Sequence, residues 1–316
     1  MIKDLIKSNL DIIIPCYNAR DNLFYTLSSI SIQKKIEGFK VYIVNDKSSY
    51  DYSDEVKFFS KFFDIEEIKL DKNLGPGGAR REGLNHSNSK YVIFIDSDDI
   101  LYDCNSLYKM YSNMEDNDLL ISSFYLERDG VRALKKNNLI WLHGKMYKRE
   151  FLDKNNITFN DSRANEDNGF NRLIIFCSPK RKVIDDITYV YRDNKDSITR
   201  KDNRNYKIFG LEGFVYNMKW AIEEGKKRGC NPLIYKYFAN NVLVSLYYDY
   251  LYYIDDKDVN NILVYAKDIV PYYEEIPKNI LDEYMNDKEK TLLEEDKKVD
   301  KTISFDEFLK KVNESW

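Results

Sequence analysis

The sequence predicts an α/β protein: a mixed, mainly parallel sheet flanked by helices, then an α-helical C-terminal region. Three observations lead there. Short apolar runs alternate with helix-spaced segments through four repeats in the first hundred residues. The runs stop in polar or acidic residues, which gathers polar groups at one edge of the sheet. Beyond about residue 200 the β-type alternation disappears and only helical periodicity remains. The domain boundary is placed there, giving an N-terminal domain over 1–200 and a helical one over 201–316.

Taken in order, Leu10–Pro15 is an apolar run ended by proline and reads as a buried strand. Ala19–Gln33 carries Leu23, Leu27 and Ile30 at helical spacing, and Phe39–Val44 is a second strand running into Asn45-Asp46-Lys47-Ser48. Ser53–Phe63 reads as a helix with Val56, Phe59 and Phe63 on one face, and Glu66–Leu70 as a short third strand. A glycine-rich turn, Gly75-Pro-Gly-Gly-Ala-Arg-Arg81, opens a helix that reaches about Ser87. Tyr91–Ile95 is the fourth strand. Strands alternating with helices in this way argue for parallel pairing through right-handed crossovers. Further on, Asn105–Asp116 is read as a helix, Asp118–Leu126 as a strand, Leu139–His143 as a short apolar piece and Tyr147–Lys154 as a helix. Glu166–Phe176 is amphipathic and Lys182–Tyr191 strand-like. Ile208–Gly225, Leu233–Ile254, Asp258–Tyr273 and Phe305–Ser315 suit helices, while the charge-rich Glu283–Lys301 is a solvated linker or an exposed helix.

Composition removes several function classes. With 43% hydrophobic and 32% charged residues the chain has an ordinary soluble make-up, and its net charge of −4 gives no support to a nucleic-acid partner. Cys16, Cys104, Cys177 and Cys230 are scattered without a CxxC pair, which argues against a zinc site or a disulfide framework and for a reduced, cytoplasmic setting. No stretch has the length and uninterrupted apolarity of a membrane span; Tyr235–Ile254 is broken by Lys236, Asn240, Asn241 and Asp249. A peripheral position at a membrane surface remains compatible with this.

The chemistry-bearing residues cluster at strand ends. Tyr91–Ile95 runs into Asp96-Ser97-Asp98-Asp99, three carboxylates within four positions. They repel one another unless a cation shares them, and a hard divalent ion is the natural partner; an Asp-rich turn capping the next helix is the other reading. Asp46 stands where it can accept from a nucleobase N–H or cap a helix. The glycine run with Arg80 and Arg81 suits a phosphate at a helix N-terminus, and equally a tight turn. Glu166-Asp167 opens a helix, so its acids complement the dipole or supply a general base. His143 and His86 are the only histidines; His86 reads as a surface residue, His143 as better placed to touch a ligand.

The ordered set Leu10-Asp-Ile-Ile-Ile-Pro-Cys-Tyr-Asn-Ala19, Val44-Asn-Asp-Lys-Ser48, Asn73–Gly83 and Tyr91–Asp99 resembles family 2 glycosyltransferases of the GT-A (Rossmann-like) fold. His143-Gly-Lys-Met-Tyr-Lys-Arg-Glu-Phe-Leu152, Asn165-Glu-Asp167 and Tyr191–Thr199 are similar to later motifs of bacterial members. The resemblance covers roughly residues 9–200. It implies a nucleotide-sugar donor, a UDP-sugar being the usual one, and a Mn²⁺ or Mg²⁺ cofactor. By the same resemblance Pro15, Tyr17 and Asp46 border the nucleobase and Arg80 the nucleotide's phosphate or base side. Gly75, Ser97, His143 and Lys145 complete the donor-side set. Asp96, Asp98 and Asp99 hold the metal. Asp167 is the catalytic base, with Glu166 beside it binding or orienting the acceptor.

Four positions, in three places, depart from the family pattern. Asn45 and Lys47 replace the first Asp and the Gly of Asp-Asp-Gly-Ser, Asn194 stands where many relatives have a metal-reaching His, and Arg81 stands where Asn is usual. The expected activity is inverting, metal-dependent transfer of a hexosyl-type sugar to the hydroxyl of a glycan, lipid-linked or other acceptor. A sugar-nucleotide nucleotidyltransferase is the rival enzyme, but its Gly-rich signature would follow the first strand, where Pro15-Cys-Tyr-Asn stands instead. A non-catalytic nucleotide-sugar-binding module is the other rival. The helical third is expected to pack on the catalytic domain through Phe238, Val242, Leu246, Tyr247, Tyr250 and Tyr253, with the acceptor site or a homodimer interface as its alternative uses.

Overall fold

A computed structural model describes residues 5–194, 204–252, 259–275, 277–294, 299 and 302–315. The chain divides into two units, Met1–Gly210 and Leu211–Trp316. In the first, the strands are β1 (Ile6–Lys7), β2 (Leu10–Cys16), β3 (Ile36–Glu37), β4 (Lys40–Asn45), β5 (Asp64–Lys69), β6 (Tyr91–Phe94), β7 (Ile100–Leu101), β8 (Leu119–Arg128), β9 (Val131–Lys135), β10 (Lys145–Lys148) and β11 (Arg181–Tyr191). The helices between them are α1 (Arg20–Ser31), α2 (Ser53–Phe59), α3 (Gly75–His86), α4 (Ser106–Met114), α5 (Arg149–Lys154) and α6 (Glu166–Phe176). Nine strands form one sheet in the order β5-β4-β2-β6-β10-β8-β11-β7, with β9 paired to β8; β1 and β3 form a separate pair.

The sheet has two halves. In β5-β4-β2-β6 every pairing is parallel. Leu10, Ile12, Ile13, Ile14, Val41, Ile43 and Val44 are fully buried, as strands covered on both faces must be. One covering helix, α3, lies so close that a Cβ on Gly83 would come within 2.4 Å of Ile13 Cγ2 and 3.0 Å of Val44 Cγ2. The other half is mixed: β10 runs antiparallel to both β6 and β8, β11 is parallel to β8, and β7 is antiparallel to β11.

Tyr147–Lys154 does not begin as a helix. Lys145–Lys148 is strand β10, wedged between β6 and β8, and α5 starts only at Arg149. Pairing on both edges overrides the helical spacing of so short a segment. Leu139–His143 belongs to neither element type: Asn138 Oδ1 accepts from the amides of Ile140 and Trp141 at 2.9 and 2.8 Å, an Asx-type turn. Glu283–Lys301 is partly helical, since a helix spans Lys278–Glu294.

From Arg204 the described chain is helical: α7 (Arg204–Lys227), α8 (Pro232–Tyr252), α9 (Val259–Ile269), α10 (Lys278–Glu294) and α11 (Phe305–Glu314). Val242, Leu246, Tyr247 and Tyr250 of α8 are buried, and the rings of Tyr247 and Tyr250 lie 5.7 and 5.5 Å from Phe308 of α11. Tyr253 falls outside the described residues. A capping box fixes the start of α11, with the Ser304 hydroxyl accepting from the Glu307 amide and the Glu307 carboxylate accepting from the Ser304 amide. No described helix is long and apolar enough to cross a membrane.

Candidate active site

The loops after β2 and β4 are tied together by polar contacts. The amides of Asn18, Ala19 and Arg20 donate to Ser48 Oγ (3.0 Å), Tyr52 Oη (3.1 Å) and Tyr50 Oη (2.7 Å). Asn18 Oδ1 accepts in return from the Ser49 amide at 2.9 Å. Pro15 lies in β2 opposite Val44, and Tyr17 projects with 57% of its surface exposed. Both departures from the family pattern in this loop have a local account. Asn45 Oδ1 accepts from the Ser48 amide at 2.8 Å while its Nδ2 donates to Glu67 Oε1 at 2.8 Å, so an amide makes a donor contact that a carboxylate could not. Lys47 has φ 63°, the left-handed conformation for which Gly is the usual residue.

Asp46 is buried and stands over the start of α3. Its Oδ1 accepts from the Leu74 amide at 2.6 Å and its Oδ2 from the Gly75 amide at 2.8 Å. Burial pushes its carboxyl up, and these two amides oppose the shift. It therefore satisfies two of the helix's unpaired N–H groups, including that of Gly75, which the sequence reading had placed at the donor. Gly75 itself has φ 77°. The glycine run serves packing as well: a Cβ on Gly77 would meet Asn160 O at 3.0 Å and the Glu166 side chain at 3.1 Å. Its absence lets α3 and the first turn of α6 approach.

One turn after Gly77 comes Arg80. It is buried, with Nη1 donating to Glu166 Oε1 and Nη2 to Asp96 Oδ1, both at 2.5 Å. Both terminal nitrogens, expected on the nucleotide, are thus engaged by protein carboxylates. Its Nε is buried without a hydrogen-bond partner, and the guanidinium sits 5.9 Å from the centre of the Phe159 ring.

The three acids after β6 take different partners. Asp96 is held by Arg80 and lies near His143; burial would raise its carboxyl, but the Arg80 charge, with the contacts from both side chains, holds it well below the usual carboxylate range. Asp99 is fully buried, with Oδ2 accepting from Tyr189 Oη at 2.6 Å and Oδ1 from the Arg192 amide at 2.9 Å. Burial first, then the charges of Asp98 and Asp96, push it well above the usual range. Asp98 turns away toward Asn194, whose Nδ2 donates to Oδ2 at 2.8 Å; burial and Asp96 raise its carboxyl. Ser97 contributes its carbonyl, 3.0 Å from the Thr26 hydroxyl, which lies 2.7 Å from the Asp99 carbonyl.

The grouping expected for a metal is accordingly redrawn. Among the described residues the convergent set is Asp96, Asp99 and His143, each offering one ligand atom within 4.8 Å of the others, while Asp98 is not part of it. His143 Nε2 lies 3.6 Å from Asp96 Oδ2 and 3.7 Å from Asp99 Oδ2, and its Nδ1 is buried without a hydrogen-bond partner. The imidazole is stacked between the rings of Tyr189 and Tyr191, at 4.9 and 4.8 Å. Two carboxylate oxygens and an imidazole nitrogen, converging but too far apart to bond one another well, fit a divalent cation, with the nitrogen suiting Mn²⁺ better than Mg²⁺.

Next to Glu166, the second partner of Arg80, stands Asp167, half-buried, its Oδ1 accepting from the Asn168 amide at 2.8 Å. Burial, then the neighbouring Glu166 carboxylate, push its carboxyl up to about 7 against the pull of Arg80. Lys145 is fully buried with its ammonium on the Trp141 carbonyl; burial pushes it down to about 7, and the charge of Asp167 opposes that shift. Tyr189 is the residue that sequence reading missed. Its hydroxyl both donates to Asp99 and accepts from the Asp96 amide at 3.2 Å. The signal was there: period-two alternation puts Tyr189 on the same strand face as Tyr191.

Residues 11–165 match glycosyl transferase family 2. Through this segment, just under half of its length, the chain is similar to that family. A poly(ribitol-phosphate) β-N-acetylglucosaminyltransferase, TarP, of Staphylococcus aureus is 28% identical over 202 residues, 57% of this chain and 61% of that protein. The structure of S. aureus TarS 1–349 in complex with UDP superposes with a TM-score of 0.66 at 17% identity, covering 90% of this chain and 91% of that one. A mannosyltransferase from Pyrobaculum calidifontis, in complex with GDP-Man and Mn²⁺, gives a TM-score of 0.54 at 13% identity over 91% of this chain and 81% of that one. The matches take in 18%, 32% and 61% of the length of the first three curated relatives. The fold of these structures is the GT-A-like arrangement of a sheet with flanking helices.

Proposed function

We propose that this glycosyltransferase moves a sugar from a UDP-sugar to an acceptor hydroxyl, with inversion at the anomeric carbon and with a divalent cation. The observation that carries the reading is the Arg80 bridge: it joins Asp96 of the carboxylate–imidazole cluster to Glu166, whose neighbour Asp167 has its carboxyl pushed up to about 7. A carboxyl of that acidity is matched to accepting a hydroxyl proton at physiological pH. The donor preference rests on likeness, since the superposable TarS structure contains UDP.

In this reading Asp96, Asp99 and His143 hold the cation, Asp98 joining from the loop side. A bound Mn²⁺ or Mg²⁺ supplies neutralisation of the diphosphate leaving group. The protein does the rest. Pro15, Tyr17 and Asp46 border the nucleobase; each Asp46 oxygen keeps a lone pair beyond its amide contact. Glu166, fixed by Arg80, orients the acceptor. Asp167 takes the hydroxyl proton as that oxygen attacks opposite the nucleotide, and holding the two reactants in line lowers the barrier further. The acceptor is a glycan, lipid-linked or other hydroxyl compound.

The test is release of nucleoside diphosphate from a panel of nucleotide sugars. Mn²⁺-dependent UDP release, lost with a chelator and restored by the metal, is expected. Release that is unaffected by chelation removes the metal from the reading, and release from GDP-sugars alone removes the donor assignment.

A further inference from the structure

Arg80 joins two acids that lie on separate elements of the chain. A single guanidinium, buried and 5.9 Å from the centre of the Phe159 ring, donates from one terminal nitrogen to an acid of the cation cluster and from the other to the acid beside the base. We infer that Arg80 is a positioning residue that sets Asp96 and Glu166 at a fixed separation, so that the donor side and the acceptor side of the site are held as one unit. The inference rests on the glycosyl-transfer reading above.

Four features of the chain converge on this role. The guanidinium is planar, and its two terminal nitrogens reach two carboxylates in a way that a lysine ammonium on a flexible stem cannot. Its distance to Glu166 depends on Gly77 one turn earlier, because α3 and α6 approach where a Cβ would meet Glu166 at 3.1 Å and Asn160 O at 3.0 Å. Glu166 is itself buried, so without Arg80 its charge would have no partner there. And each terminal nitrogen of Arg80 commits one of its N–H groups to an acid, so the side chain acts through Asp96 and Glu166.

Asp167 reports on the arrangement. The charged groups acting on it are Glu166 on its own helix, Arg80 from α3 and Asp96 from the loop after β6, with Lys145 of β10 in the same field. Glu166 raises its carboxyl and Arg80 lowers it. Removing the two partners must then move the base in opposite directions, which general damage to the fold would not do.

The experiment measures UDP release from UDP-GlcNAc against pH in the whole 316-residue chain with Mn²⁺, together with Mn²⁺-dependent binding of UDP by calorimetry. For Arg80→Gln the acid limb of the rate profile is expected to move to higher pH, with UDP binding weakened about tenfold. Glu166→Gln is expected to move the limb to lower pH and leave UDP binding within about threefold. Arg80→Lys keeps the charge and loses the bridge, so the limb stays near its place while the rate at the optimum falls by roughly a hundredfold. Gly77→Ala, with Arg80 untouched, should lower the rate in the same way. Limbs that stay put in both Gln variants, or an Arg80→Lys enzyme as fast as the parent, would overturn the positioning role. A parent protein that neither binds UDP with Mn²⁺ nor hydrolyses any nucleotide sugar overturns the transfer reading, and this inference with it.

Discussion

The two halves of the sheet's carboxyl edge are built on opposite principles. After β2 and β4 the two loops are joined to each other by neutral groups, the Asn18, Ala19 and Arg20 amides on Ser48, Tyr52 and Tyr50 and the Ser49 amide on Asn18. After β6 the chain gathers Asp96, Asp98 and Asp99, of which two have raised carboxyls, around one imidazole and one guanidinium. The cross-loop contacts of the first half are complete without a ligand. The second carries repulsion that only an added positive charge resolves. That contrast separates recognition, which wants rigidity, from chemistry, which wants groups poised between protonation states.

The largest effect is expected at the most poised group. Asp167→Asn should leave a folded protein whose sugar transfer drops by roughly a hundredfold or more, as for loss of a positioned acid–base residue. An unchanged rate would unseat it as the base. The same substitution tests the cost of poise. Asp167 has a folded carboxyl near 7, above its unfolded value, so the native state binds the extra proton between about pH 4 and 7. Its contribution to stability is full below that window and is lost as pH rises through 7. Asn cannot ionise, so the variant should unfold at a higher temperature than the parent at pH 8 without metal, and the two should converge near pH 4. Lys145 has the opposite sign: its folded value near 7 lies below the unfolded one, so its contribution is present above about pH 10 and is lost as pH falls toward 7. A scan of melting temperature against pH for the parent and for Asp167→Asn separates the two.

Next in size is the identity of the cation's partners, which sharpens the contrast between halves. If His143 is a ligand, His143→Gln should weaken Mn²⁺ binding in the presence of UDP by at least about tenfold, with a smaller change for Mg²⁺, because imidazole suits the transition metal. Asp98→Asn should matter less, its carboxylate being turned to Asn194. Calorimetry with each metal reads both. If the order is reversed, the metal draws Asp98 inward and leaves Asp99 to Tyr189.

Much of this was legible because it is local. Parallel strands buried on both faces show as unbroken apolar runs, so β2, β4 and β6 stood out, and acids at their ends could be assigned to one edge. What escaped is what depends on partners far along the chain. Lys145–Lys148 is a strand only because β6 and β8 flank it. The β8–β9 hairpin was missed although Asp129-Gly130, with φ of 50° and 77°, is a strong two-residue turn signal. In the site, the same limit explains Arg80. Proximity to a glycine turn suggests phosphate, whereas its two carboxylate partners, Asp96 and Glu166, come from separate elements and no spacing announces them. Asn194 is similar: its match to a metal-reaching position was visible, its hydrogen bond to Asp98 was not.

The smallest effect belongs to the satisfied half and decides how far its rigidity is structural. Asp46 accepts from two amides at the start of α3, so Asp46→Ala leaves both N–H groups without that partner. Loss of a capping side chain costs about 1 kcal/mol, and at this chain length that corresponds to about 2 °C in melting temperature. UDP binding should weaken as well, since the residue is also proposed to border the base. Asp46→Asn discriminates the two duties. Its single side-chain oxygen can serve one amide and its NH₂ cannot serve the other, so the helix start is expected to loosen by part of the alanine effect. A nucleobase N–H needs only one acceptor, and UDP binding should then fall less than in the alanine variant. If Asn restores the melting temperature and leaves UDP binding as weak as Ala does, the carboxylate charge is required at the base itself, and the loop is less finished without its nucleotide than its hydrogen bonds suggest.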